Sequence, residues 1–111
     1  MALAAGELRN RITIEHPVES RDESGGVTVQ WQELPSGAHA WSKREDLSGR
    51  ELFQAQQINA QVATQFTVRW RSDIDARMRV VSDGITYPIE SVQDPEGRRE
   101  KLVLLCSRSV N

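Results

Sequence analysis

The side chains that could carry metal chemistry are few and scattered in this sequence of 111 residues. His16 and His39 are its two histidines, and neither lies beside a cysteine or carboxylate cluster at metal-ligand spacing. Asp73 and Asp75, in the segment SDID, could offer oxygens to a cation. Calcium takes roughly six to eight oxygens, however, and two carboxylates fall well short of that number. The pattern predicts a solvated loop at SDID, and neither a metal site nor a cofactor site.

Covalent catalysis has no better support, because it needs a nucleophile, a base and an orienting group within reach of one another. Cys106 lies in the apolar run KLVLLC, which is typical of a buried, reduced core thiol. As the one cysteine of the chain, it cannot form an internal disulfide, which fits a protein made in the cytoplasm. The start, MALAAGELRNR, predicts neither a signal peptide nor a membrane span. We expect a protein that is not an enzyme.

Arginines in the second half of the chain are the best candidates for a binding surface. In the segment RWR, Arg69 and Arg71 flank a tryptophan, a combination that can stack bases and hold phosphates. On a strand, however, Trp70 points away from both arginines, towards a core face with Phe66 and Val68. Further arginines follow closely in the sequence. The candidate basic patch comprises Arg69, Arg71, Arg77 and Arg79.

The overall charge argues against a nucleic-acid role. The chain has 14 basic and 16 acidic residues, so bulk electrostatics attract it neither to nucleic acid nor to an anionic membrane. Residues 1–65 hold 6 basic and 9 acidic residues, and the remainder holds 8 and 7. The corresponding net charges of −3 and +1 hint that two ends of the fold differ in potential.

Alternation of apolar and polar residues predicts strands along most of the chain. The first run centres on Ile12 and Ile14, and His16 with Pro17 is expected to end it. The glycine-containing segment RDESGG then predicts a turn. Residues 27–32 alternate again, so they are expected to pair with the first strand as a hairpin. A third extended run, AHAWS, ends near Lys43, and the clearest alternation follows in FTVRWR.

The last third of the chain carries the strongest turn signals. Asp83 and Gly84 separate two apolar alternating runs, which predicts a hairpin with a type I′ turn. Pro88 cannot donate a hydrogen bond to a ladder, so its strand should have an edge or a bulge there. The segment DPEGRRE predicts another turn. Leu102–Cys106 is apolar on both faces, as expected for a strand that is covered on both sides.

Six or seven short strands at this spacing predict an all-β fold, a small antiparallel β-barrel or sandwich. A chain of this length is expected to form a single domain over residues 1–111.

The stretch SGRELFQAQQINAQ, residues 48–61, departs from the strand pattern. From Leu52 to Val68 there is no charged residue, and there are five glutamines. Ser48 and Glu51 have capping-box spacing, so a short helix over Gly49–Asn59 is predicted, with a long loop as the other possibility. A helix this short is only marginally stable by itself in water, so it must pack against the barrel or against a partner. The segment could be an ordinary polar helix packed on its own barrel, or a contact with a partner.

Several motifs follow one another in a familiar order: LRNRITIE, a GG hairpin before Trp31, AW at residues 40–41, LSGRELFQAQQ, FTVRWRSDID and MRVVSDGITYPIESVQDPEGRREKLVLLC. This succession, from about Leu8 to Cys106, resembles the tailed-phage head-tail joining family, also called head closure, stopper or head-tail adaptor proteins. The resemblance implies a β-barrel virion protein of the phage neck, assembled in the host cytoplasm.

The resemblance also implies the partners of such a protein. Family members form a homo-oligomeric ring below the portal and its adaptor, face a tail completion protein and help to retain the packaged double-stranded DNA that passes through the lumen. No membrane partner is implied. The candidate subunit or channel contacts are Ser48, Gly49, Arg50, Glu51, Phe53, Gln54, Gln57, Ile58 and Gln61.

Two other functions compete with this hypothesis. The first is a small β-barrel module that binds nucleic acid through the candidate basic patch, against which the net charge of −2 counts. The second is a small hydrolase, which lacks any recognisable catalytic constellation.

Overall fold

The computed structural model describes residues 5–108 and shows a predominantly β fold with a single short α-helix in that range. The strands are β1 (Asn10–Arg21), β2 (Val27–Glu33), β3 (His39–Asp46), β4 (Thr64–Arg69), β5 (Arg79–Ser82), β6 (Ile85–Gln93) and β7 (Lys101–Cys106), and the helix is α1 (Gly49–Ile58). Single 3₁₀ turns lie at Ala5–Glu7 and Pro95–Gly97. The prediction of six or seven strands and a short helix near residues 48–60 is confirmed.

Six of the strands close into an antiparallel barrel. Their order is β1-β3-β4-β7-β6-β5, and β5 pairs back with β1 through Thr13–Val81, Ile14–Val80 and Glu15–Arg79. Alternate residues of each strand point inward, because successive side chains of a strand lie on opposite faces. The buried side chains of the main core include Ile12, Ile14, Phe66, Val68, Tyr87 and Leu104.

β1 continues well past the point where the sequence predicted its end. Pro17 was expected to stop the strand, but β1 runs to Arg21 and pairs with β2 over seven residues. The backbone N–H of Leu34 donates to the carbonyl oxygen of Ile14, and the N–H of Asp22 donates to that of Gly26. The backbone N–H and C=O groups of the even-numbered residues of β1 therefore face β2. Pro17 is odd-numbered, so the N–H that it lacks would point towards the edge without a neighbouring strand, where proline is tolerated.

The part of β1 beyond the barrel and β2 form an extension that we call the β1–β2 ribbon (residues 15–33). All residues of β2 are exposed, and among the described residues only β1 pairs with it. The turn of the ribbon is held by the carboxylate of Asp22, whose Oδ1 accepts the N–H groups of Ser24 at 3.0 Å and Gly26 at 2.7 Å. Gly25 has a φ of +82°, as the sequence predicted for a glycine turn.

The other predicted turns are also present. Asp83 and Gly84 have φ of +51° and +76° and join Ser82 to Ile85, as in a type I′ hairpin. The register of β6 against β7 shifts between Ile89 and Ser91, so the bulge expected at Pro88 lies just after it. Strand β3 ends three residues later than Lys43, because its pairing with β4 extends to Asp46.

Strand β7 is covered on both faces, as its apolar sequence predicted. Leu102, Leu104 and Cys106 face the main core, and Leu105 packs in a second cluster below α1. Burial raises the pKa of the Cys106 thiol to about 12, with Glu90 adding to the effect. The predicted buried core thiol is confirmed, and at neutral pH it is protonated.

Tyr87 contributes a hydroxyl that finds no hydrogen-bond partner in the described chain. The side chain is fully buried, and its ring packs edge-to-face against Phe66 with centroids 5.1 Å apart. A buried polar group without a partner costs stability, whereas the ring itself stabilises the core.

We expect Tyr87→Phe to keep the free energy of unfolding unchanged or to raise it by about 1 kcal/mol, because only the unpaired hydroxyl is lost. Phe66→Ala, which removes the neighbouring ring, should lower it by about 3–5 kcal/mol. Urea denaturation of both variants measures the difference. A clear loss of stability in Tyr87→Phe would show that the hydroxyl has a stabilising partner.

Candidate functional site: an exposed helix on a closed barrel

Helix α1 lies on the outside of the barrel and buries very little of itself. Ala55 is its one buried residue, in a small cluster with Val62 and Leu105 that Leu47 and Val103 border. The helix extends from Gly49 to Ile58, one residue short of the predicted end. The predicted capping box is wrong: Ser48 has an extended backbone, but its side chain makes no capping hydrogen bond. The helix therefore receives modest support from either its own cap or the barrel.

Hydrogen bonds after the last turn hold the end of α1 in place. Asn59 donates through Nδ2 to Oε2 of Glu90 at 3.0 Å, and its own Oδ1 accepts the N–H of Gln61 at 2.8 Å. Gln56 donates through Nε2 to the carbonyl oxygen of Val62 at 3.2 Å. These contacts fix where the chain returns to the barrel and leave the outer surface of the helix free.

All nine residues predicted as subunit or channel contacts are exposed on this segment. They are Ser48, Gly49, Arg50, Glu51, Phe53, Gln54, Gln57, Ile58 and Gln61. The two large apolar side chains among them, Phe53 and Ile58, are 66% and 55% exposed. Exposed apolar groups on a helix that packs weakly are typical of a surface that other molecules cover.

A groove of about 410 Å³ separates the helix from the sheet. The helix contributes Glu51, Gln54 and Ile58 to this groove, and the sheet contributes Gln65 and Leu105 among others. The groove is therefore mixed in polarity, with two carboxylates (Glu45 and Glu51), amides and apolar side chains, and its lining holds no nucleophile next to a base.

The four arginines of the candidate basic patch do not form a single surface of unpaired positive charge. Arg71 donates through Nε and Nη2 to the two carboxylate oxygens of Asp73 at 2.6 and 2.7 Å, and Nη2 also reaches the carbonyl oxygen of Gly37 at 2.7 Å. Ser36 donates a hydrogen bond to the same carboxylate. These bonds join the loop before β3 to the loop after β4, so Arg71 has a structural role.

Two other arginines of the predicted patch are also paired. Arg77 lies 3.0 Å from Asp75, and Arg79 donates to Oε1 of Glu15 at 2.7 Å. The guanidinium of Arg79 also stacks on Trp31, 4.3 Å from the ring centroid, which anchors the base of the β1–β2 ribbon to the barrel. Arg69 is exposed at the end of β4. Three of the four arginines therefore form ion pairs within the chain.

Trp70 behaves as its position in the alternation predicted, since it packs against the main core. Arg99 lies over its ring at 5.4 Å from the centroid. Sequence reasoning did not single out Trp41, which is 56% exposed on β3. An exposed tryptophan cannot be told from a core tryptophan by alternation alone, because only the folded barrel shows which face is covered.

The described residues hold no converging set of ligating groups. Between residues 5 and 108, no three histidine, cysteine, aspartate or glutamate side chains come together as a possible metal site. In the same range, no helix is both long and apolar enough to cross a bilayer.

A closed barrel with a weakly packed helix that exposes apolar side chains is typical of a small protein that acts through contacts with other molecules. The model of the phage head completion protein family matches residues 3–109. The chain belongs to this family, and it is a structural component of the virion rather than an enzyme.

Two solved structures share this fold. Protein SF1141 from Shigella flexneri 2a is similar, with 25% sequence identity and a TM-score of 0.76, over 98% of this chain and 99% of that one. A chain in the virion of a native gene transfer agent particle has the same fold, with 16% identity and a TM-score of 0.60, over 94% and 97% of the two chains. No curated protein sequence matches significantly.

The paired arginines predict a pH dependence of stability. The hydrogen bonds from Arg71, supported by Ser36, hold the pKa of Asp73 well below its usual range despite partial burial. A depressed folded-state pKa stabilises the fold above the ordinary pKa of about 4, and this stabilisation is lost as the pH falls below that value. The pair is partly exposed, so the effect is moderate.

We expect Asp73→Asn to lower the free energy of unfolding by about 1–2 kcal/mol near pH 7 and by less near pH 3, because the stabilisation by the ionised carboxyl begins to be lost below about pH 4 and is lost fully only below its depressed folded-state pKa. Urea denaturation at both pH values measures the difference. Asp75→Asn is the matched control, because its partner Arg77 is exposed and a smaller loss is expected. An equal loss at both pH values in Asp73→Asn would contradict the role of its charge.

Proposed function

We propose that this chain is a ring subunit of the phage neck. In this role it joins the portal and adaptor of the DNA-filled head to the tail, contacts the tail completion protein and helps to retain the packaged double-stranded DNA. Its membership of the phage head completion protein family supports a place in the virion, at the point where the head is finished.

The observation that carries this proposal is the packing of α1. A helix of ten residues is marginal in water by itself, and this one buries a single residue against the barrel. It nevertheless exposes Phe53 and Ile58, which would gain from burial in a larger assembly. A neighbouring subunit, the adaptor or the tail completion protein would provide that burial.

The absence of charge between Leu52 and Val68 fits a position near moving DNA. Lysine or arginine side chains that line a lumen bind phosphates and release counterions, which makes the contact strong and dependent on salt. Glutamine side chains such as Gln54 and Gln57 present no such charge. An uncharged surface would let the duplex pass during packaging and ejection, and it would suit a contact between subunits equally well.

The competing function, a nucleic-acid-binding module, finds less support in the geometry. Arg71, Arg77 and Arg79 have carboxylate partners within the chain, so phosphate binding would first have to break these pairs. The net charge of −2 also gives no general attraction to DNA.

Introducing positive charge into α1 tests the proposed function. We expect Gln54→Lys combined with Gln57→Lys to leave the fold and the thermal midpoint essentially unchanged, because both side chains are exposed. In a phage that depends on this protein, the variant should lower the yield of infectious particles by about tenfold or more, because an assembled contact would bury unpaired charge. Plaque counts and electron microscopy for heads without tails measure the effect.

Ser72→Lys combined with Ala76→Lys is the matched control, since it adds the same charge to exposed positions outside α1. This control should support wild-type yields. Wild-type yields from the α1 variant would contradict a role for this helix in assembly.

A further inference from the structure

The β1–β2 ribbon is a second surface that the barrel itself does not cover. Its β2 strand exposes Val27, Val29 and Trp31 by 58%, 52% and 37%, and alternation places all three on one face. A two-stranded ribbon without other packing is marginally stable in water. An apolar stripe on such a ribbon is therefore expected to find a partner.

The charge of the ribbon indicates the chemistry of that partner. Residues 15–33 contain five carboxylates and one arginine, which is a net charge of −4 in a chain whose total is −2. Glu19 lies directly opposite Val29, on the same face as the apolar stripe. Neither Glu19 nor Glu23 forms an ion pair within the described part of the chain. The partner should combine apolar and positively charged groups.

Such a surface exists on the barrel, where strands β3 and β4 separate. Their pairing begins only at Lys43–Thr67; residues 39–42 of β3 pair with β1 instead, while β4 pairs with β7 along its whole length. The gap is a cleft of about 300 Å³, which we call the β3–β4 cleft. It is lined by the exposed Trp41, by Arg69 and by Val68.

Cations flank the β3–β4 cleft on the outer face of the barrel. Arg11 is the cross-strand partner of Trp41, and Lys101 is the partner of Arg69, so each pair lies on one face. Within residues 5–108, none of Arg11, Arg69 and Lys101 forms an ion pair. The surface thus offers free positive charge around an exposed tryptophan, the complement of the acidic, apolar ribbon.

The ribbon and the cleft of one molecule are directed apart. Residues 10–13 of β1 pair with β3 beside the cleft, whereas residues 15–21 lead away from the barrel with β2. Seven paired residues span about 24 Å at 3.4 Å per residue. The contact of Arg79 with Trp31 and Glu15 also holds the base of the ribbon on the β5 side. The ribbon is therefore placed to reach a second molecule.

We infer that the β1–β2 ribbon of one subunit docks on the β3–β4 cleft of the next copy of this chain. The Val27–Val29 stripe covers Trp41, and Glu19 and Glu23 of the ribbon face Arg11, Arg69 and Lys101. Two different surfaces meet in this contact, so it is heterologous and repeats from subunit to subunit until a ring closes. The inference rests on the ring proposed above and names the interface that builds it.

Charge reversal on each side tests this interface. The ribbon variant carries Glu19→Lys and Glu23→Lys, and the cleft variant carries Arg69→Glu and Lys101→Glu. NMR spectra of the labelled full-length protein over a dilution series detect weak association through shifts at Trp41 and Val29. We expect wild-type protein to associate, each variant to associate about tenfold or more weakly, and a chain with all four changes to regain association.

Mixing the ribbon variant with the cleft variant should also restore association, because each then meets a surface of opposite charge. Arg108→Glu is the control: it reverses an exposed charge beyond the Cys106 end of β7, whereas Lys101 lies at the opposite end of that strand, and it should associate as wild type. Wild-type association by the cleft variant, or no association of the wild-type protein at millimolar concentration, would overturn the proposed interface.

The same variants in the phage separate this inference from the proposed function. If the wild-type gene fails to restore joined heads and tails to a phage that lacks it, the proposed function is wrong. If the wild-type gene restores them and both charge-reversed variants do so equally well, the function stands and the ribbon–cleft interface is wrong. If the chain with all four changes restores joined heads and tails and neither charge-reversed variant alone does so, both the proposed function and the ribbon–cleft interface are supported.

Discussion

The closure of the barrel through β1 is the constraint on which the rest of the structure depends. Residues 13–15 of this strand pair with β5, while residues 10–13 pair with β3, so one short segment joins the two ends of the sheet. Closure removes the open edges that a six-stranded sheet would otherwise expose. It also explains the ribbon, because the same strand continues past the barrel and must find its partner in β2 alone.

The packing is consequently uneven. Inside the barrel, Phe66, Tyr87 and Leu104 are fully buried, and the core is continuous across the strands. Outside it, α1 and the ribbon leave large apolar side chains in water. A single barrel of this size can bury only part of its chain, so additional elements obtain their stability from partners. In a virion protein, the barrel core can therefore stabilise the folded subunit, while the exposed apolar side chains of α1 and the ribbon remain available for assembly.

Much of the fold could be predicted from local sequence patterns. Asp83 and Gly84 marked a hairpin because few residues tolerate positive φ, and the alternation around Phe66 and Val68 marked a strand with one core face. The helix was predicted within one residue of its observed end. The end of β1 was predicted wrongly, because whether Pro17 breaks a strand depends on whether its missing N–H faces a neighbour.

The sequence alone therefore determined the class of fold, the turns and the uncharged helical segment, since these depend on residues close together in the chain. The tertiary structure decided which charges are free. Arg71 and Arg79 find carboxylates that neighbouring loops and strands bring to them, while Arg69 and Trp41 remain exposed beside a cleft between two strands. Such pairings depend on the register of strands far apart in sequence, and no local pattern of residues encodes that register.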